Sequence, residues 1–274
     1  QLSLSRGPRS YPGVMCGIAG FTIAPGVALD RTALARLLLA GIAERGTDAT
    51  GYGYHGPDGT VEVRKESVRL REFVEHVAVP ERAGEAIFHV RGYTKGVPSV
   101  NDNNHPVRYG RSVVVHNGHL DNDDALFRRH GAARSTPHIT VDSEAIAMLA
   151  DLTGDIAEAL TEVRGSAAVG VLWDDEPGRL TLARRASRPL CLGHGDGFVL
   201  FASTPEPLEL AGRATGRKIR VEEIAEGRAL ELRDGHVESR RRFHVDRRYV
   251  GQPLVTYPPL AEKPALLRLA LAAF

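Results

Sequence analysis

The stretch GVMCGIAGF, residues 13–21, sets a cysteine directly after a methionine and directly before a run of small and apolar residues. From Cys16 to Ile23 the chain has the length and apolar character of a buried strand, and a Pro-Gly pair follows it. If Met15 is the working start, we expect it to be removed, because the next residue is small. Cys16 would then be the N-terminal residue.

An N-terminal cysteine carries a thiol and a free α-amine on adjacent carbons. The α-amine titrates near pH ~8, so part of it is unprotonated at neutral pH and can accept the thiol proton. Cys16 would thus supply both the nucleophile and its base. The alternative is a structural cysteine, buried early in a strand. Residues 1–15 are interpreted as a leader, a pro-segment or a cloning remnant, since they lack the apolar core of a secretory signal.

The composition is typical of a globular protein, and the low number of cysteines fits a reducing compartment. The 274 residues are 42% hydrophobic and 25% charged, with a net charge of +1, which favours neither nucleic acid nor a membrane surface as partner. Two cysteines, Cys16 and Cys191, do not make a disulfide framework. We therefore expect a cytoplasmic protein, and Cys191, inside an apolar segment, is expected to be an inert core residue.

Short apolar strand segments dominate both ends of the chain, with helical segments between them, a pattern typical of an α+β fold with two sheets and helical layers. The first helix is expected to begin after Asp30 and to stop at Gly46. Residues 93–110 are predicted to form an irregular loop, and residues 121–126 a solvated helix start. The predicted organisation is a leader at 1–15, a domain at 16–240 and a tail at 241–274 with a short apolar helix, which either packs on its own domain or docks another protein.

Three polar positions beyond Cys16 suggest a site. Arg91 ends an apolar strand, and a guanidinium can hold a carboxylate through two parallel hydrogen bonds. The Asn117-Gly118 pair ends another strand, where a side-chain amide and a backbone N–H can stabilise an oxyanion. Asp142 opens a helix and can pair with an ammonium group. Each has an ordinary alternative: a surface ion pair, a turn and a helix N-cap. Together with a cysteine nucleophile they fit a free amino acid with an acyl side chain, such as glutamine.

Six motifs in the same order resemble the glutaminase domain of class II glutamine amidotransferases, which are N-terminal-nucleophile hydrolases. They are MCGIAGF, ERGTDATGYG, FHVRGYTKG, NNHPV, VVVHNGHLDN and VDSEAIAML. Some of these motifs resemble amidophosphoribosyltransferase and others glucosamine-6-phosphate synthase, and the mixture suggests neither enzyme itself. The resemblance covers residues from about 16 to about 235. It implies a four-layer αββα sandwich of two mainly antiparallel sheets, the Ntn-hydrolase fold.

The resemblance also implies roles for individual residues. Cys16 matches the nucleophile and, through its amine, the base. Asn117 and Gly118 match the oxyanion hole, Arg91 the residue for the glutamine α-carboxylate, and Asp142 the residue for its α-amine. Further matches are a glutamine-contacting threonine, Thr94, and four residues that support the pocket: Arg45, Gly46, Asp48 and His105. The implied reaction needs no cofactor. Its substrate is glutamine, and ammonia and glutamate are its products.

Two departures stand out against glucosamine-6-phosphate synthase. Gly92 replaces a tryptophan that gates an ammonia channel there, and Lys95 replaces a histidine in the loop that contacts substrate. His116 and His119 flank the Asn117-Gly118 pair, but no further ligands complete a metal site, so no metal is expected.

The residues after this region of resemblance contain no recognisable synthase domain. The leading hypothesis is a stand-alone glutaminase subunit that delivers ammonia to a separate synthase. The alternatives are a hydrolase of another γ-glutamyl amide and a non-catalytic glutamine-binding or regulatory module. The sequence does not fix the oligomeric state, and a homo-oligomer is compatible with it.

Overall fold

The computed structural model describes residues 16–246 and 259–274. The predicted leader and part of the predicted tail lie outside these residues. The strands are β1 Gly17–Ile23, β2 Ala49–His55, β3 Val61–Glu66, β4 Glu85–Arg91, β5 Val107–Tyr109, β6 Ser112–Leu120, β7 Gly165–Trp173, β8 Arg179–Arg184, β9 Cys191–Gly195, β10 Phe198–Ala202, β11 Arg220–Glu223, β12 Arg228–Arg233 and β13 His236–Arg242. The α-helices are α1 Arg31–Gly41, α2 Leu70–Phe73, α3 Asp123–Arg129, α4 Ser143–Thr153, α5 Ile156–Glu162, α6 Glu206–Thr215 and α7 Lys263–Leu271.

The described strands form two sheets. The first has seven strands in the order β11-β9-β10-β1-β4-β2-β3, and the second has six in the order β13-β12-β8-β7-β6-β5. Every strand pair is antiparallel, as between Ala19 and Phe88 of β1 and β4 or Asn117 and Ala168 of β6 and β7. The expectation of two antiparallel sheets is confirmed.

Three apolar cores separate four layers. One lies between the first sheet and helices α1, α6 and α7, and includes Leu37. A second joins the second sheet to α4 and α5, and includes Leu149. The third lies between the two sheets, where Ile18 and Phe201 are fully buried. The αββα sandwich that the resemblance implied is therefore present.

The alternation of side chains along a strand decides which residues face the inter-sheet layer. In β1, Ala19 and Phe21 belong to the helix-facing core, whereas Ile18 belongs to the inter-sheet core. Residues two apart share a face, so Cys16 lies on the same face as Ile18. By the same rule, Asn117 shares a face with the inter-sheet residue Val115. The strands thus direct both side chains into the space between the sheets.

Three sequence predictions of local structure need correction. Asp30 caps α1 as predicted, accepting a hydrogen bond from the Ala33 N–H at 2.8 Å, but α1 ends at Gly41. The chain tightens there into a 3₁₀ turn, Ala43–Arg45, and Gly46 follows that turn rather than the α-helix. This tighter turn carries Arg45 back to the start of β1, where its Nε bonds the Cys16 carbonyl.

The long loop predicted at 93–110 contains a 3₁₀ turn, Asn101–Asn103, and the short strand β5. The predicted helix start at 121–126 is α3, but it is only partly solvated. Asp123 is buried there, because Lys95 and Arg134 both pair with its carboxylate, at 2.6 and 2.7 Å.

Helix α6 is absent from the sequence predictions, although Pro207 stands in its first turn, where proline is favourable. The apolar tail helix is α7, which packs against α1 and buries Leu266 and Ala270. Leu269, Leu271 and Phe274 remain exposed on it or just beyond it.

Candidate active site

Cys16 lies immediately before β1 and is buried. Its Sγ donates to the Gly92 carbonyl at 3.6 Å, and its own carbonyl accepts a hydrogen bond from Arg45 Nε at 3.1 Å. Burial raises the pKa of the Cys16 thiol, while the positive charge of Arg91 and the bond to Gly92 act in the opposite direction. Arg45 and Asp142 also influence this thiol electrostatically, so three of the predicted site residues lie near it.

Arg91 is the last residue of β4 and is almost completely buried. Its Nη1 donates to Asn104 Oδ1 at 2.6 Å, and its Nη2 donates to the carbonyls of Lys95, at 2.6 Å, and Gly96. These contacts fix the plane of the guanidinium and use three of its five N–H groups. Burial lowers the pKa of Arg91, and the charges of Cys16 and Asp142 oppose that shift.

Asn117 is fully buried in β6, and within the described residues neither its Oδ1 nor its Nδ2 has a hydrogen-bond partner. A buried amide without partners costs about 1–3 kcal/mol, which is unusual for a native core. The next residue is glycine for a steric reason: a Cβ on Gly118 would stand 2.0 Å from the Ser166 carbonyl oxygen and 2.5 Å from His116 Nε2. Both Asn117 and Gly118 lie within β6, so the pair does not form the turn that the sequence left as an alternative.

Asp142 stands directly before α4, and its side chain does not cap the helix. Instead, Oδ2 accepts a hydrogen bond from the Leu120 N–H at 2.7 Å, and His119 Nδ1 lies 3.5 Å from the same oxygen. The carboxylate is buried, whereas the His119 side chain is about a third exposed. The Asp142 carboxylate is thus held in place at the C-terminal end of β6.

The predicted supporting residues have separate places. Gly46 packs so closely against β4 that a Cβ there would stand 2.2 Å from the Arg91 carbonyl carbon. Asp48 Oδ2 accepts from the Tyr93 N–H at 2.7 Å, which anchors the start of the loop after Arg91. His105 is buried and its Nε2 lies 2.8 Å from Ser143 Oγ. Thr94, by contrast, is exposed on the loop and is not buried with Arg91.

Several polar residues that sequence reasoning missed hold this end of the molecule together. Asn104 bonds Arg91, and Lys65 donates to the backbone carbonyls of Asn104, at 2.7 Å, and Pro106, at 3.0 Å. Burial lowers the pKa of Lys65 to about 8. Asn104 lies within the NNHPV motif, so the sequence could have indicated it as a site residue. Nothing in the sequence connects Lys65 with this loop.

The remaining predictions concern metal, membrane and the second cysteine. Residues 16–246 and 259–274 hold no cluster of three or more ligands suited to a metal ion. Within the same ranges no helix has the length and apolar character needed to cross a bilayer. Cys191 is buried in β9, and burial raises the pKa of its thiol to about 11. Such a thiol stays protonated and unreactive at neutral pH.

The sequence is also similar to known glutamine amidotransferases. A family model described as a glutamine amidotransferase domain matches residues 97–209. The chain is similar to glutamine–fructose-6-phosphate aminotransferase (isomerizing) of Pyrococcus horikoshii, with 35% identity over 202 residues, or 69% of this chain and 32% of the relative. The same enzyme of Gluconobacter oxydans is 32% identical over 233 residues, or 81% of this chain and 36% of the relative.

Solved structures share the fold at lower identity. Glutamine phosphoribosylpyrophosphate amidotransferase of B. subtilis superposes with a TM-score of 0.64 and 19% identity, covering 84% of this chain and 50% of that one. A glutamine aminotransferase class-II domain protein of Silicibacter pomeroyi superposes with a TM-score of 0.51 and 18% identity, covering 84% of this chain and all of that one.

These findings define the chain as a class II glutamine amidotransferase domain on the Ntn fold. Its sequence is similar to part of the glutamine–fructose-6-phosphate aminotransferases, and it shares the fold of glutamine phosphoribosylpyrophosphate amidotransferase. The chain spans about a third of the length of the curated relatives that it matches.

Proposed function

We propose that this chain is a glutaminase subunit that hydrolyses glutamine to glutamate and ammonia through Cys16, and that the ammonia passes to a separate synthase. The observation that carries the proposal is the buried amide of Asn117, which has no partner among the described residues and lies on the inter-sheet face that Cys16 also occupies. A polar group of this kind is satisfied when a ligand brings the missing partner. The developing oxyanion of a thiol addition is a ligand that the Asn117 Nδ2 and the Gly118 N–H suit.

The proposed reaction begins with binding. Arg91 holds the α-carboxylate of glutamine with the N–H groups that its loop contacts leave available, and Asp142 pairs with the α-ammonium. These two charges, both close to Cys16, orient the side chain so that its amide carbon faces the thiol.

The working chain in this proposal begins at Cys16. Its free α-amine takes the thiol proton, which matters because burial raises the thiol pKa and leaves little thiolate without a base. The thiolate attacks the side-chain carbonyl carbon, and the tetrahedral oxyanion forms against Asn117 and Gly118. The amine returns the proton to the leaving nitrogen, ammonia departs, and water then hydrolyses the γ-glutamyl thioester to glutamate.

Capture of the thioester tests the proposal. Protein that mass spectrometry shows to begin at Cys16 is incubated with glutamine and hydroxylamine, alone and with the products of neighbouring genes. The proposal predicts γ-glutamyl hydroxamate, formed when hydroxylamine replaces water in the second step. Absence of both hydroxamate and glutamate in every mixture would refute it. Faster turnover of another γ-glutamyl amide than of glutamine would replace the substrate but keep the chemistry.

Transfer of ammonia is tested separately. Glutamine labelled with ¹⁵N in its side-chain amide is supplied together with a candidate synthase and its acceptor. Direct delivery is supported if the aminated product carries ¹⁵N and if excess unlabelled ammonium does not lower its ¹⁵N enrichment. Complete dilution would mean that hydrolysis is the whole activity of this chain.

A further inference from the structure

A buried hydroxyl lies between two imidazoles next to the site. Ser143 Oγ is 2.8 Å from His105 Nε2 and 2.8 Å from His116 Nδ1, and all three side chains are at least 97% buried. A hydroxyl has one proton, so Ser143 can donate to only one of the two rings and must accept from the other.

The far side of His116 fixes which ring accepts. His116 Nε2 faces the Ser166 carbonyl oxygen at 3.3 Å, and because a carbonyl only accepts, Nε2 must carry the ring proton. Burial lowers the pKa of His116, so the ring is neutral and its Nδ1 has no proton. Ser143 therefore donates to His116 and accepts from the Nε2–H of His105, whose pKa burial also lowers.

A third histidine stiffens this arrangement. The His89 ring stacks on His105 with 4.1 Å between centroids, and its Nε2 lies 3.2 Å from the His116 carbonyl oxygen. His89 is therefore also the Nε2–H tautomer, and burial lowers its pKa to about 3. The hydrogen bonds run in one direction, from His105 through Ser143 and His116 to the Ser166 carbonyl.

These bonds hold both sides of the Asn117-Gly118 segment to the start of α4. Before the segment, Ser143 bonds His116, whose ring lies against Gly118, since a Cβ there would stand 2.5 Å from Nε2. After the segment, Asp142 bonds the Leu120 N–H at 2.7 Å. A change at Ser143 would release the ring that supports Gly118.

We propose that Ser143 is a positioning residue: its hydroxyl fixes the orientation of the His116 ring, and that ring fixes the backbone of Gly118, the residue after Asn117. The inference rests on the proposed function for its kinetic consequence, but the hydrogen-bond direction and the amide positions are observable without any turnover.

NMR of ¹⁵N-labelled protein provides the readout that is independent of activity. Ser112→Ala is the matched control. Ser112 is the first residue of β6 and is also buried, and its Oγ donates to the Ala147 carbonyl of α4 at 2.7 Å, away from the site. In the wild type, His105 and His116 should both show the Nε2–H tautomer. Ser143→Ala should shift the His116 ring nitrogens, the Gly118 N–H and the Asn117 side-chain NH₂, whereas Ser112→Ala should leave them unchanged.

Kinetics provides the second readout. Ser143→Ala should lower kcat for glutamate release about 10-fold or more while KM changes less than about threefold. Ser143→Thr, which keeps the hydroxyl, should recover most of the loss, and Ser112→Ala should keep wild-type kcat. Equal kcat values for the two alanine variants would overturn the proposal.

The two readouts separate the two proposals. A wild-type enzyme that is inactive, but whose spectra match the expectation, would remove the glutaminase proposal and leave the positioning role standing. An active wild type with the Nδ1–H tautomer at His116 would support the glutaminase proposal and overturn the positioning role of Ser143. The wild-type spectrum alone decides the direction of the bonds, even if Ser143→Ala does not fold.

Discussion

The two ends of the inter-sheet layer both hold buried polar side chains, but they differ in how completely those side chains are hydrogen-bonded. Strand β4 contributes to both ends of this layer, because every second residue of the strand lies on the same face: Glu85, Ile87, His89 and Arg91. At the Arg91 end, the amide of Asn117 has no partner among the described residues. At the Glu85 end, the carboxylate pairs with His55 Nδ1 and also accepts from the Gly178 N–H at 2.7 Å.

The Glu85 end is a closed ionic contact between the sheets. His55 Nε2 lies 2.9 Å from the Trp173 carbonyl oxygen, and its Nδ1 faces the Glu85 carboxylate, so both ring nitrogens donate. Burial alone would lower the pKa of His55, but the bonds to Glu85 and Trp173 outweigh it and raise the pKa. Polar groups that the protein itself satisfies hold the sheets together at the Glu85 end, whereas the amide of Asn117, without a partner among the described residues, is the group for which we propose a ligand.

The largest effect is expected at the closed end. Glu85→Ala should lower the free energy of unfolding by about 3–5 kcal/mol at pH 6, because it leaves a buried imidazolium without its counter-charge. Glutamate release per folded molecule should not change. Chemical denaturation measures the loss, with Glu81→Ala as control, since Glu81 is exposed and 3.9 Å from Arg31 and should cost less than about 1 kcal/mol. A loss of activity without a loss of stability would mean that Glu85 serves the active site and is not a structural contact between the sheets.

The opposite result is expected for Asn117→Ala. If Asn117 donates to the oxyanion, kcat should fall about 10²- to 10³-fold. Stability should stay the same or rise, because the substitution removes two buried polar atoms that have no partner within the part of the chain that the structure describes. Steady-state kinetics and thermal unfolding check the two halves of this prediction, and a large drop in Tm would mean that Asn117 is structural after all.

A smaller effect is expected for Asp142→Asn. The amide oxygen can still accept from the Leu120 N–H, so the fold should be kept, while the charge that would pair with the substrate ammonium is lost. KM for glutamine should rise about 10- to 100-fold, as expected for a lost charged hydrogen bond. An unchanged KM would assign Asp142 to the support of β6 alone.

The pH dependence of stability gives the smallest effect. The folded pKa of His55 lies above its unfolded value, so its contribution is complete below pH ~6.5 and is lost as pH rises through the folded pKa. The stability difference between wild type and Glu85→Ala should therefore shrink from pH 6 towards pH 9. Denaturation curves at several pH values measure it, and a constant difference would show that His55 is neutral in the folded protein.

The parts of the site that follow strand periodicity could be predicted from sequence. The alternation in FHVRG and VVVHNG places His89 with Arg91 on one face and Val115 with Asn117 on another, and both facts are readable without a structure. The parts that depend on loop paths could not be predicted. Lys65 reaches Asn104 only because β3 and the loop before β5 happen to meet, and no local pattern encodes that meeting.

Ser143 illustrates the same limit. Its place beside Asp142 is visible in the VDSE motif, but its two histidine partners come from a loop and a strand at sequence distances of 38 and 27 residues. Gly46 is the converse case: it resembles a helix stop by sequence, but its small size serves the close approach of the Arg91 backbone.

The role proposed for Cys16 as an N-terminal nucleophile is tested by comparing glutamate release by three proteins: wild type with a start at Cys16 confirmed by intact mass, Cys16→Ala, and Cys191→Ala. Cys191 is the matched control because it is the second buried free cysteine and its thiol, with a pKa of about 11, is inert at neutral pH. We expect glutamate release by the wild type and by Cys191→Ala, and none by Cys16→Ala. Activity that survives in Cys16→Ala would show that Cys16 is not the nucleophile.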